Sequence, residues 1–135
     1  MKKFEFLEHT ADIKFRAFGK SIEEVFENSA LAMFNSMSEE KIKQNKKAKI
    51  KVSGKDYESL LYNFLEELVF LFDSEGFFVG EVKNLKINEK ELSAEIIGDS
   101  AKNYEIHVDV KAITYNEMFV KKIKDVWTSQ VVLDV

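Results

Sequence analysis

The chain has 135 residues, 45% hydrophobic and 33% charged, with twelve Phe and neither Pro nor Cys, which suits a single domain with one core. The missing cysteines exclude disulfides, thiolate nucleophiles, iron–sulfur clusters and cysteine-type zinc sites. A net charge of −4, with Arg16 the only arginine, argues against a surface that grips a phosphate backbone unaided, so any role in nucleic-acid chemistry is expected to run through another protein.

Met1-Lys2-Lys3 leads directly into strand-like sequence, so no signal peptide is expected and a soluble cytoplasmic protein is the default. Phe4 and Phe6 alternate with Lys3, Glu5 and Leu7, the period of a half-buried strand. Ile13, Phe15 and Ala17 repeat it, and Gly19 ends that second strand. Ser21-Ile22-Glu23-Glu24 has the form of a capping box. Ile22, Val25, Phe26, Ala30, Met33, Phe34 and Met37 then fall at helical spacing with one buried stripe. Ser38 to Lys47 reads as a charged connection, and Lys49 to Val52 as a short strand closed by Gly54.

Asp56 is the expected N-cap of a second helix carrying Leu60, Leu61, Phe64, Leu65, Leu68, Leu71 and Phe72, with Gly76 as its left-handed C-cap. The apolar run from Leu68 to Phe72 is too short and interrupted to span a bilayer. Glu66-Glu67 reads as solvent-facing, since adjacent helix positions do not share a face. From Phe77 the chain reads as strands: Phe77 to Val82 with Leu85 to Ile87, a turn at Asn88 to Lys90, then Leu92, Ala94 and Ile96, broken at Gly98-Asp99-Ser100. Glu105 to Tyr115 is the longest alternation and predicts a strand with a polar row of His107, Asp109 and Lys111. Asn116-Glu117 reads as a turn, Met118 and Val120 as the start of the return, Trp127 as an anchor, and Val131 to Val135 as a final strand. The expected fold is α+β: two helices on one face of a mainly antiparallel (mixed) β-sheet, two layers, residues 1–135 as one domain.

No P-loop, G-x-G-x-x-G, H-E-x-x-H or G-x-S-x-G motif is present. The turn His9-Thr10-Ala11-Asp12 places an imidazole, a hydroxyl and a carboxylate between two strands, where a metal or a partner can be held; Asp12 or Thr10 capping the turn is the plainer alternative. With only His9 and His107, a histidine-rich transition-metal site is excluded, and a hard cation with oxygen ligands is the better candidate. Asp12, the Asp134 side chain and the Val135 α-carboxylate, where the native chain ends there, are the available donors. The residues alone do not bring Asp12 to the tail.

His9-Thr10-Ala11-Asp12-Ile13, Gly19, Ser21 to Phe26 and Ala32-Met33-Phe34 resemble the N-terminal signature of the archease family. Leu60-Leu61 through Glu66-Glu67-Leu68 to Asp73 is similar to its central segment. Lys111-Ala112-Ile113-Thr114-Tyr115 resembles its Lys-Ala-Val-Thr-Tyr-His motif, with Asn116 in place of the His, and Trp127 to Val135 resembles its C-terminal pattern. The resemblance covers nearly the whole chain in order. It implies a non-catalytic protein cofactor of the RtcB-type RNA ligase of tRNA splicing, one that promotes guanylylation of the ligase and its repeated turnover. It also implies a divalent cation, calcium or another hard ion such as magnesium, held by Asp12, Asp134 and Val135. His9 and Lys111 are candidates for contacts to those ligands or to the partner. Neither direct sequence-specific nucleic-acid binding nor membrane association is expected. The alternatives are a general chaperone-like modulator of DNA- or RNA-processing proteins, and a small metal-dependent hydrolase using Asp12, His9 and His107; the latter lacks a nucleophile–base pair at recognisable spacing.

Overall fold

A computed structural model describes residues Met1–Val135. In chain order the elements are β1 (Phe4–Leu7), β2 (Ile13–Gly19), α1 (Ile22–Met37), β3 (Lys46–Ser53), α2 (Tyr57–Glu75), β4 (Phe77–Asn88), β5 (Glu91–Ser100), a short 3-10 turn (Ala101–Asn103), β6 (Ala112–Ile123) and β7 (Val126–Asp134). The α+β class expected from the pattern is what is found. The strands divide into two sheets, β1-β2-β7-β6 and β3-β5-β4, and every pairing is antiparallel. Each helix contacts strands of both sheets, and the helices rather than direct sheet-to-sheet packing join the two. That placement explains why α1 buries Asn28, Ser29 and Ala32 beside its expected apolar stripe. No helix is long and apolar enough to cross a membrane.

Both helix starts follow local chemistry. The Ser21 hydroxyl accepts the Glu24 N–H at 3.1 Å, while the Glu24 carboxylate accepts from Lys20 N–H at 3.0 Å, one residue earlier than a reciprocal capping box requires. In α2 the box closes fully: Asp56 accepts from Ser59 N–H and the Ser59 hydroxyl accepts from Asp56 N–H. Gly76 ends the helix at φ 63°, the left-handed region where a glycine has no Cβ penalty.

Thirty buried residues form one core cluster. At its centre Phe34 of α1 meets Phe78 of β4 at 5.1 Å and Phe72 of α2 at 6.3 Å between ring centroids, both edge-to-face. β5 turns Leu92, Ala94 and Ile96 inward as expected, but it continues through Gly98 to Ser100 instead of breaking there. Glycine serves here for close approach: a Cβ on Gly98 would lie 1.9 Å from the Phe78 carbonyl oxygen.

Two further expectations are corrected. Residues 105–111 are not a strand, although their burial alternates. Their backbone is tied by His107 N–H to the Met37 carbonyl and by Lys111 N–H to the Asp134 carbonyl; alternation reports which side is buried, not whether a ladder partner exists. Nor does Asn116-Glu117 reverse the chain. β6 runs on to Ile123 with a bulge between Thr114 and Phe119, where Glu117 has φ 57°. The reversal comes at Lys124-Asp125, both at positive φ, a hairpin turn made without the usual Asn-Gly or Asp-Gly.

A carboxylate corner as candidate metal centre

The β2–β7 ladder decides where the ends of the chain meet. Its last pair is Ile13 with Leu133. Asp12 precedes the first of these and Asp134 follows the second, so the two aspartates flank one end of the same ladder. On the other side of β7, Ala112 pairs with Asp134, and Lys111 N–H donates to the Asp134 carbonyl at 2.8 Å. The corner therefore gathers Asp12, Asp134, Val135 and Lys111, which lie far apart in sequence.

The β1–β2 loop is held over the corner by the β6 bulge. Ala11 takes φ 66°, a tight left-handed step next to Asp12. His9 donates from Nε2 to Glu117 Oε2 at 3.0 Å, and Lys14 Nζ donates to Glu117 Oε1 at 2.9 Å. Gln130 Nε2 fixes the bulge through the Glu117 carbonyl at 2.7 Å, and Gln130 in turn accepts from Arg16 Nε at 2.9 Å. The hydrogen bonds from Lys14 and His9 hold the Glu117 carboxyl below the ordinary glutamate range. From the sequence Glu117 reads as a turn residue without a role, because no local pattern reports a bulge that turns a side chain back across a sheet.

The other ring nitrogen of His9, Nδ1, is buried without a hydrogen-bond partner and lies 3.7 Å from Asp12 Oδ2. With Nε2 committed to Glu117, this orphaned nitrogen faces a carboxylate, an arrangement that fits a site taking up positive charge. No group of three or more His, Asp or Glu side chains is arranged to hold a metal through side chains alone. A metal here would rest on the Asp12 and Asp134 carboxylates, on the Val135 α-carboxylate where the native chain ends there, and on backbone or solvent oxygens, and a hard-oxygen set of that kind suits calcium or magnesium. Beside Asp12 opens a cavity of about 390 Å³ between the β1–β2 strands, the end of α1 and His107. Neither His9 nor His107 is hydrogen-bonded to a hydroxyl through its side chain.

Glu117 supplies a pH test. Its carboxyl is depressed in the folded state, so its contribution to stability is complete above the unfolded value of about 4.5 and is lost as pH falls through the folded value. A carbon-13 titration of the Glu117 side chain is expected to give a midpoint below 4.5, moving up toward that value in Lys14→Met. A midpoint unchanged by Lys14→Met would remove the ion pair as the cause.

The sequence profile of the Archease protein family (MTH1598/TM1083) matches residues 4–135. The chain is 42% identical to the protein archease of Methanosarcina mazei, over 99% of this chain and 97% of that one. Against the protein archease of Pyrococcus furiosus the identity is 41%, with both chains covered in full. The solution structure of Methanobacterium thermoautotrophicum protein 1598 superposes with a TM-score of 0.85 at 35% identity, covering 100% of each chain.

Proposed function

The chain belongs to the archease family, and on that premise we propose that it is a non-catalytic, cytoplasmic activator of an RtcB-type RNA ligase in tRNA splicing, with a hard divalent cation, calcium or magnesium, at the Asp12–Asp134–Val135 corner. The observation that carries this reading is the β2–β7 ladder, which ends with Ile13 opposite Leu133 and so flanks that pair with Asp12 and Asp134. Such a cation supplies positive charge for phosphates, and phosphoryl-type transfer depends on positioning and charge neutralisation.

The residues of this chain have separable tasks. Asp12 and Asp134 bring negative charge to one sheet corner, and a free α-carboxylate at Val135 adds to it. His9, fixed from behind by Glu117, restricts how far Asp12 can turn. Lys111 is anchored by its backbone to Asp134, and its exposed side chain can reach a phosphate or an acidic group on the ligase. The ligase keeps the chemistry; this protein lends it a charged corner.

The test is ligase guanylylation with GTP, with and without this protein, over a calcium or magnesium series. Stimulation that disappears on chelation and returns with the cation is expected. An added Gly-Ser extension after Val135 removes the α-carboxylate and should weaken calcium binding about tenfold or more. Unchanged calcium affinity in the extended protein would exclude Val135 as a ligand.

A further inference from the structure

Tyr62 of α2 and Tyr115 of the β6 bulge stack face to face, their ring centroids 4.3 Å apart and their planes within 5°. Tyr115 remains 54% exposed, so the pair presents an open aromatic surface. It is rimmed by carboxylates. Glu66 lies one helical turn beyond Tyr62, on the same face of α2, and Asp56 caps the start of that helix. Neither acid is paired with a lysine, arginine or histidine.

We propose that the Tyr62–Tyr115 stack, with Glu66 and Asp56 at its rim, is a docking site for an arginine side chain presented by a protein partner. A guanidinium is planar and weakly hydrated, so it stacks on an aromatic face and still directs N–H groups to a carboxylate in the ring plane; a lysine ammonium cannot do both. The local electrostatics select the same ligand. Partial desolvation by the stacked neighbour raises both phenols; Glu66 raises Tyr62 further, and Tyr62, Asp56 and Glu66 raise Tyr115. The unpaired Glu66 and Asp56 carboxylates repel a phosphate backbone, which disfavours a stacked nucleobase. Tyr115 belongs to the Lys111–Tyr115 segment, and Ala112 of that segment pairs with Asp134, so the platform and the corner share one strand. The proposal uses none of the corner's ligands, and its outcome is independent of metal binding.

The experiment uses the full chain with carbon-13-labelled tyrosine rings, titrated with a capped Gly-Arg-Gly-Arg-Gly peptide, its lysine counterpart, and a single-stranded RNA oligonucleotide. Saturable shifts of the Tyr62 and Tyr115 ring signals with the arginine peptide are expected, with the lysine peptide weaker by about threefold, the scale of an exposed cation–π contact. Tyr115→Phe should bind as the parent does. Tyr115→Leu, which keeps apolar packing against α2, should lose the arginine preference while calcium binding and the thermal midpoint stay unchanged, and Glu66→Gln should weaken the arginine peptide alone. Equal response to both peptides, retained preference in Tyr115→Leu, or ring shifts with RNA and none with peptide would each overturn the proposal. If Tyr115→Leu is unfolded, Tyr115→Phe together with Glu66→Gln decides the matter by the same preference.

Discussion

Asp12→Ala is expected to leave the protein folded and to cut its stimulation of ligase guanylylation by about tenfold or more, the loss typical of disabling a metal site. The fold tolerates the change for a structural reason. Asp12 stands outside the β2–β7 ladder, whose last pair is Ile13 with Leu133, and outside the core cluster. A partly exposed position of that kind usually shifts stability by about 0.5 kcal/mol or less. No group of three or more His, Asp or Glu side chains is placed to hold a metal by itself, so loss of the Asp12 carboxylate is not made good by a ready-made side-chain cluster. Two measurements on the same variant separate ion binding from ligase stimulation. Calcium titration reports whether Asp12 holds the ion, and the guanylylation rate reports whether the ligase needs it. Lost calcium binding with full stimulation would detach the ion from the function; full binding and full stimulation would remove Asp12 from the site.

The second large effect is on stability. Phe34→Ala is expected to cost about 3–5 kcal/mol, the range for truncating a buried Phe, and to lower the thermal midpoint by roughly 10–20 °C. Phe34 is 1% exposed, and its ring meets Phe72 of α2 and Phe78 of β4, which also meet each other at 6.1 Å. One ring thus ties three elements together, and two aromatic edges are left facing a void when it is removed. Urea unfolding measures the loss, and Phe34→Leu should recover a good part of it by refilling the space. A loss below about 1 kcal/mol would mean that α1 shifts to close the gap and that the three-ring contact is not what joins the elements.

Much of the fold could be read from local chemistry because local chemistry produces it. Ser21, Asp56 and Gly76 take the cap positions expected of them, since capping depends on a few neighbouring backbone groups. The strand alternation of Ile13 to Ala17 and of Leu92 to Ile96 reports burial faces that the sheets respect, whereas in the edge strand β1 Phe6, expected on the buried face, is the exposed residue. What escaped reading depends on distant partners. Residues 105–111 alternate like a strand but find only two backbone partners, Met37 and Asp134. The reversal at Lys124-Asp125 carries no glycine to announce it. Glu117 looked like a turn residue, yet it is the acceptor that holds His9 and Lys14. At the corner, Asp12 and Asp134 each read from the sequence only as candidate hard-oxygen donors. Their meeting is a property of the ladder register, and only the resemblance to archeases anticipated it.

That register has a bearing on how the protein comes into being. β7, the last strand in the chain, is an interior member of its sheet, with β2 on one side and β6 on the other. While the ribosome is still working, the first hairpin must wait with β2 exposed along one edge, and contacts of such long sequence separation form slowly. The corner is therefore assembled at the moment the sheet closes, and a chain cut short before β7 carries Asp12 without its counterpart. The meeting of Asp12 with Asp134 is thus a late event of folding, complete only once β7 has docked between β2 and β6.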